Sequence, residues 1–277
     1  MKTARRGGLN STALALIPLA IAINIAGGQL VKALRLPIYL DSIGTVLAGA
    51  LLGPWVGLLT GALSNIIWTG IGLDQYALTF APVAAIIGLL AGFAGRLGAF
   101  QQPAPRWLSA LIGGVFLFAL ALFVMMFVNA TSNPDGSMAL PTAADLLGQQ
   151  PLVFLVAFVV GLAAGYFVLK NAGYAGLAGL LTGVVAAIVS APIAAYVFGG
   201  VTGSGTDLLV AAFRASGAGI LQSAFAQGTV SDPFDKMTSF MVVYLIIQAL
   251  PRRLLYRFPN TRVTDESRQI GELATGQ

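Results

Sequence analysis

Between Leu36 and Gly70 the chain carries a single charged side chain, Asp41, in the run LPIYLDSIGTVLAGALLGPWVGLLTGALSNIIWTG. A stretch this apolar belongs in hydrocarbon, where every backbone polar group must be bonded within the segment, so it folds as helix. Gly49, Gly53, Gly57 and Gly61 recur every fourth residue and lay a smooth stripe on one helix face, against which a neighbouring helix can pack closely. Pro54 interrupts the stripe. Proline lacks the N–H that a helix interior needs but is well suited to a first helical position, so two helices are expected to meet at Gly53-Pro54. The first of these is short, about 16 residues or roughly 24 Å, just enough to cross a thin hydrocarbon core. Asp41 falls in its first turn, where the helix dipole favours an anion.

The rest of the chain follows the same rule. Of 277 residues, 57% are hydrophobic and 9% charged, against about 25% charged in a soluble domain. The apolar runs are far longer than the roughly 10-residue alternating strands of a membrane barrel. The fold class is therefore all-α, a polytopic transmembrane helical bundle. No secretory signal peptide stands out. Cysteine and histidine are both absent, which removes disulfides, thiol nucleophiles, the commonest metal ligand and the usual base near neutral pH. No metal, no cofactor and no enzymatic activity are expected. The net charge of +5 sits beside the apolar runs and reads as topology, not as an affinity for nucleic acid.

In chain order, the first helix is expected over about 12–34, with the small pair Ala22 and Ala26 and the polar residues Asn24 and Gln29. The third runs from Pro54 to about Gly72, and the fourth follows the polar turn Leu73-Asp74-Gln75-Tyr76 and ends at Arg96. The fifth covers about 107–130, and the loop 131–150 after it holds no lysine or arginine. A sixth spans about 152–169 and a seventh about 174–198, the latter with Gly179, Gly183, Ala187 and Ala191 at packing spacing. The segment 206–227 is too polar for a span and reads as an outer-side amphipathic or re-entrant helix. The last span starts near Asp232-Pro233 and ends at Pro251. Residues 1–258 then form one polytopic membrane domain of about eight spans, and 259–277 a polar cytoplasmic tail. With this count Lys32, Arg35, Arg214 and Lys236 fall outside and the rest of the 15 lysines and arginines inside, as the positive-inside rule requires, with both termini cytoplasmic. IIGLLAGFAGR (86–96) echoes VVGLAAGYFVLK (159–170), which an inserted or duplicated helix pair at about 107–171 would explain.

Chemistry is sparse. The loop GGVTGSGTD has no following Lys-Ser/Thr and is no Walker A loop. Asp41, Asp74, Asp207 and Asp235 all fall at expected helix ends or loops, which leaves no carboxylate in mid-span for a proton relay. The outer ends of the third, seventh and last helices do share one composition: Asn65, Trp68, Asp74, Gln75 and Tyr76; Tyr196 and Thr202; Asp235 and Lys236. Aromatic walls with a few polar groups suit a small organic ligand. Several have a plainer alternative. Trp68 and Tyr196 suit an interfacial aromatic belt. Asp232 and Asp235 suit a cap over a last helix that starts with Pro233.

The segments LDSIGTVLAGALLGPWVGLLTGALSNII, VSAPIAAYVFGGVTGSGTD and SDPFDKMTSFMVVYLIIQALPRR together resemble the substrate-binding S components of energy-coupling factor (ECF) transporters. The resemblance implies a small helical membrane subunit that captures a vitamin-like solute from outside, with a transmembrane coupling protein and two ATPase subunits as partners. It also implies that Ala22 and Ala26 face that coupling protein. The family core has about six spans, so the extra pair falls on the fifth and sixth helices. A sensory or accessory membrane domain that binds a small ligand is the alternative reading.

Overall fold

The computed structural model describes residues 11–34, 36, 38–132, 138–215 and 217–261. Among these, secondary structure is helical apart from one two-residue antiparallel pair, Thr131–Ser132 with Met138–Ala139. Four helices are long and apolar enough to cross a membrane, or five if a pair bent by 94° counts as one span. The helices are α1 (Ser11–Ala33), α2 (Ile43–Leu52), α3 (Pro54–Gly70), α4 (Ala81–Arg96), α5 (Arg106–Val128), α6 (Ala143–Gln149), α7 (Pro151–Phe167), α8 (Gly173–Phe198), α9 (Asp207–Ala215), α10 (Ile220–Ala249) and α11 (Arg252–Leu255). They group into two compact units, one of 1–26, 41–101 and 242–277, the other of 27–40 and 102–241.

In the first unit the break falls at Gly53-Pro54, as expected, with Gly53 at φ 104 and Pro54 in the first turn of α3. Three glycines of the stripe do what the spacing implied. A Cβ on Gly49 or Gly57 would lie 2.6 or 2.3 Å from the Gly88 carbonyl of α4, and one on Gly61 would lie 2.1 Å from that of Ala84. Gly53 does something else: its left-handed backbone, which a side chain would strain, turns the chain between helices. α2 is shorter than the sequence suggests, at 10 residues, or about 15 Å of rise. Asp41 precedes it and lies outside its first turn. Its first turn is capped from a distance. Ser42, at the N-cap position, makes no side-chain cap bond. Instead Asn24 of α1 accepts from the N–H groups of Gly44 at 2.7 Å and Thr45 at 3.2 Å, and its amide donates to the hydroxyls of Thr45 and Ser64.

The end of this unit also departs from the sequence reading. The Gly53-Pro54 break strips the Ala50 carbonyl of its helical donor, because Pro54 has no N–H to offer. Asn260 fills that role, donating to Ala50 O at 2.8 Å and to Gly92 O at 3.3 Å. The polar stretch beyond 258 therefore begins as packed structure, with Asn260 and Thr261 buried; 262–277 lie outside the described residues.

In the second unit α5 and α7 form an antiparallel pair at backbone contact: a Cβ on Gly161 would meet Gly113 O at 2.3 Å, and one on Gly165 would meet Ser109 O at 2.1 Å. The glycines that echo between 86–96 and 159–170 thus share a role, Gly88 and Gly92 seating α4 on α3 and Gly161 and Gly165 seating α7 on α5. The loop 131–150 contains α6, started by a capping box in which Thr142 and Asp145 satisfy each other's backbone N–H. Phe123, Met126, Leu146, Phe154 and Leu209 form the core beside it.

The largest correction concerns the last helix. The sequence reading starts it at Asp232-Pro233 and sets 206–227 apart as a separate outer helix. The short α9 is separate, but α10 begins at Ile220 and continues through Pro233 for 30 residues, about 45 Å at helical rise. Proline is tolerated there because α8 packs against it: a Cβ on Gly183 would lie 2.3 Å from Pro233 Cα and one on Gly179 2.8 Å from Met237 Cα. Phe234 also stacks on Phe116 and Phe123, with ring centroids 5.1 and 5.7 Å apart.

Candidate functional site

A helix running through Asp232, Pro233 and Asp235 places those carboxylates in its interior. They do not cap its start, the plainer alternative offered by the sequence, and Asp235 does not fall at a helix end or in a loop. Extending α10 upstream reveals a periodicity: Ser223, Gln227, Ser231, Asp235 and Ser239 recur every fourth residue, and all five are buried. Four-residue spacing keeps them on one face. Asp232 and Lys236 flank that face at 4% and 3% exposure.

Tyr39, in the connection between α1 and α2, ties this stripe to the glycine-rich loop. Its backbone N–H donates to Asp235 Oδ1 at 3.1 Å, and the Leu40 N–H donates to the same atom at 2.8 Å. Asp235 Oδ2 takes a hydrogen bond from Lys236 Nζ, which lies 5.8 Å from the centre of the Tyr39 ring. Leu40 has a φ of 47°, in the left-handed region that a leucine rarely adopts, and the paired bonds to Asp235 hold it there. Gly27 of α1 gives the loop room, since a Cβ on it would lie 2.4 Å from Leu40 O.

From the Tyr39 hydroxyl a hydrogen-bond chain runs both ways. On one side it reaches Thr206 at 3.0 Å, then Ser204 at 2.6 Å, Thr202 at 2.9 Å and the Asp207 carboxylate at 2.8 Å. On the other, Gln227 Nε2 donates to Tyr39 Oη at 3.2 Å and to Ser231 Oγ; Ser231 donates to Asp232 Oδ1, and Ser190 of α8 to Asp232 Oδ2. Direction follows from the ends. Carboxylates only accept and the Gln227 nitrogen only donates, so each hydroxyl between them has its hydrogen committed toward a carboxylate. Burial pushes the Tyr39 phenol well above its ordinary pKa, and the Asp232 carboxylate adds to the effect, so the hydroxyl keeps its hydrogen for Thr206.

The residues picked from sequence divide between the units. Thr202, Asp235 and Lys236 are joined through Tyr39 in the second, where Tyr196 stands exposed at 73% in the last turn of α8. Asn65, Trp68, Asp74, Gln75 and Tyr76 belong to the first. Asn65 and Trp68 share a face of α3 and are each 5% exposed, and the Trp68 indole N–H has no hydrogen-bond partner. Asp74 builds its own turn, accepting from the N–H groups of Tyr76 and Ala77, while Gln75 is exposed. Ala22 and Ala26 are both exposed, on the face of α1 that also carries Leu19 and Leu30.

Tyr39, Gln227, Ser231, Asp232 and Ser190 are the residues that sequence reasoning missed as a group. The four-residue polar period was the available signal, hidden once Pro233 was taken as a helix start. A separate groove of about 640 Å³ between α5 and α7 is lined by residues such as Leu120, Val124, Val156 and Val160. It offers no polar group to orient a solute. Among the described residues no cluster of acidic side chains suits a metal ion. A scan against protein-family models gives no match, and searches of curated proteins and of solved structures give none either.

Proposed function

We propose that this chain is the membrane-embedded substrate-capture subunit of an ATP-driven uptake transporter for a small vitamin-like organic solute, an S component of the ECF type. The observation that carries the reading is the buried polar stripe of α10 with Tyr39 laid against it. Ionisable and hydroxyl side chains are expensive inside an apolar helical protein, and where they are kept they line a solute site or pathway. The orphaned indole N–H of Trp68 supports the same reading from the first unit, because a buried donor without a partner costs about 1–3 kcal/mol until something accepts from it. The sequence resemblance supplies the family.

In this reading α2, α3 and α10 join the longer helices as spans, giving about eight, with both termini cytoplasmic. The exposed Ala22 and Ala26 form the surface for a transmembrane coupling protein, since small residues four apart let another helix come close. Two ATPase subunits on that partner supply the energy. The test is co-expression with a coupling protein and its ATPases. The wild-type chain should co-purify with them and support ATP-dependent uptake of one vitamin-like solute. The double variant Ala22→Trp/Ala26→Trp should lose both while the isolated protein still binds that solute. Binding without any association would favour a sensory or accessory role, and unchanged association of the variant would remove the docking surface.

A further inference from the structure

Arg106, the first residue of α5, and Lys170, just past the end of α7, are both exposed. Ser109 keeps them at one end of the helix pair. It lies three residues after Arg106, and its hydroxyl donates to the Lys170 carbonyl at 2.9 Å and accepts the Gly173 N–H at 3.1 Å. The Arg106 guanidinium lies 5.5 Å from the centre of the Tyr166 ring. Among the described residues no carboxylate pairs with either cation, and the sequence shows why. Neither 75–134 nor 146–206 contains an aspartate or a glutamate. The dipole of α7 favours a cation at Lys170, but that of α5 opposes one at Arg106, whose helix end is already positive. The surroundings indicate which anion would suit this end. Trp107 and Phe167 stand 67% and 74% exposed beside the cations in sequence, and Tyr166 packs edge-on against Phe167. Large rings held in the open at the end of an apolar helix suit the boundary between hydrocarbon and headgroups. A free phosphate would leave them unused.

We propose that the joined ends of α5 and α7 hold an anionic phospholipid, with its phosphate on Arg106 and Lys170 and its acyl chains against Trp107 and Phe167. A phosphate takes forked hydrogen bonds from a guanidinium and binds an ammonium as a point charge. The inference needs a membrane but not a transported solute, so it stands apart from the capture reading. In the topology proposed above these ends face the cytoplasm, the side whose leaflet carries the anionic lipids. The other negative charge on that side is in the chain's own last stretch, Asp265, Glu266 and Glu272. That stretch is polar and offers little to cover the rings.

The experiment places the full chain in phosphatidylcholine vesicles with a small share of brominated lipid, carrying either a phosphatidylglycerol or a phosphatidylcholine headgroup. Bromine on an acyl chain quenches a tryptophan that it touches. Of the three tryptophans Trp68 is buried, so a Trp55→Phe background leaves Trp107 to report. Brominated phosphatidylglycerol should quench at a roughly tenfold lower mole fraction than brominated phosphatidylcholine, an advantage that shrinks as salt is raised. Arg106→Gln combined with Lys170→Gln should abolish the difference, and Arg106→Lys, which keeps the charge, should retain most of it. Arg214→Gln removes one positive charge from α9, away from the cluster in sequence, and should change nothing. Equal quenching by the two lipids overturns the proposal. A preference that then appears only when Asp265→Asn, Glu266→Gln and Glu272→Gln are combined would assign the two cations to the chain's own last stretch. A preference that survives in the double variant takes the lipid away from Arg106 and Lys170.

Discussion

Asn24 on α1 accepts the backbone N–H of Gly44 at 2.7 Å, so the start of α2 is capped by a side chain from another helix. The same amide donates to Thr45 and Ser64, and one residue thereby fixes α1, α2 and α3 against each other within the first unit. Asn24→Ala leaves two buried N–H groups and two hydroxyls to find new partners. A lost cap costs about 1 kcal/mol and each unsatisfied buried group about 1–3 kcal/mol. We expect a loss of roughly 2–4 kcal/mol in equilibrium unfolding, while Leu19→Ala on the exposed face of the same helix changes stability by less than about 0.5 kcal/mol.

Tyr39→Phe tests the hub of the second unit. It deletes one hydroxyl but orphans an acceptor on Thr206 and a donor on Gln227, so a loss of about 1–3 kcal/mol is expected. The phenol also makes a pH signature. Its pKa is raised in the folded chain, so the folded state holds a proton that the unfolded state releases near pH 10. Its contribution is complete below about pH 10 and falls as the pH rises further. Thermal midpoints taken from about pH 9 to pH 11 should therefore drop more steeply for the wild type than for Tyr39→Phe. Parallel slopes would show that the phenol is not held in this way.

Glycine substitutions should separate by what lies opposite. A Cβ on Gly183 would sit 2.3 Å from Pro233 Cα, backbone that cannot yield without moving α10 from α8, whereas nothing lies within 4 Å of one on Gly148. Gly183→Ala should destabilise by about 1–3 kcal/mol. Gly148→Ala, inside α6, should stabilise by up to about 1 kcal/mol through helix propensity. Unfolding of the two variants side by side should give opposite signs; a Gly183→Ala protein as stable as the wild type would mean that α8 and α10 are not packed backbone to backbone.

Much of this was readable from the chain because it obeys local rules. The Gly53-Pro54 break, the ends of α4, α5, α7 and α8 within a few residues and the packing role of Gly49, Gly57 and Gly61 all follow from proline chemistry and glycine spacing. Gly53 shows the limit: its place in the stripe implied packing, and its backbone turns the chain instead. The α10 stripe was lost to a sound rule applied at the wrong place. Pro233 behind Asp232 has the look of a helix start, but tertiary packing from Gly183 and Phe116 keeps the helix going through it. Tyr39 could not be found by periodicity, because it sits in a connection that has none. The role of Asn260 was hidden by its setting in a stretch whose composition reads as solvated tail.

That last residue bears on the order in which the protein can be finished. The carbonyl left open at Ala50 is closed by Asn260, a side chain that emerges from the ribosome only after every long apolar helix described above. Until then the junction of α2 and α3 holds an unsatisfied acceptor, and the first unit waits on its own final segment while every helix of the second has already been synthesised. A chain arrested or clipped before this asparagine would carry every long apolar helix described above and still lack the closing contact of the first unit, so making the helices does not by itself complete their packing.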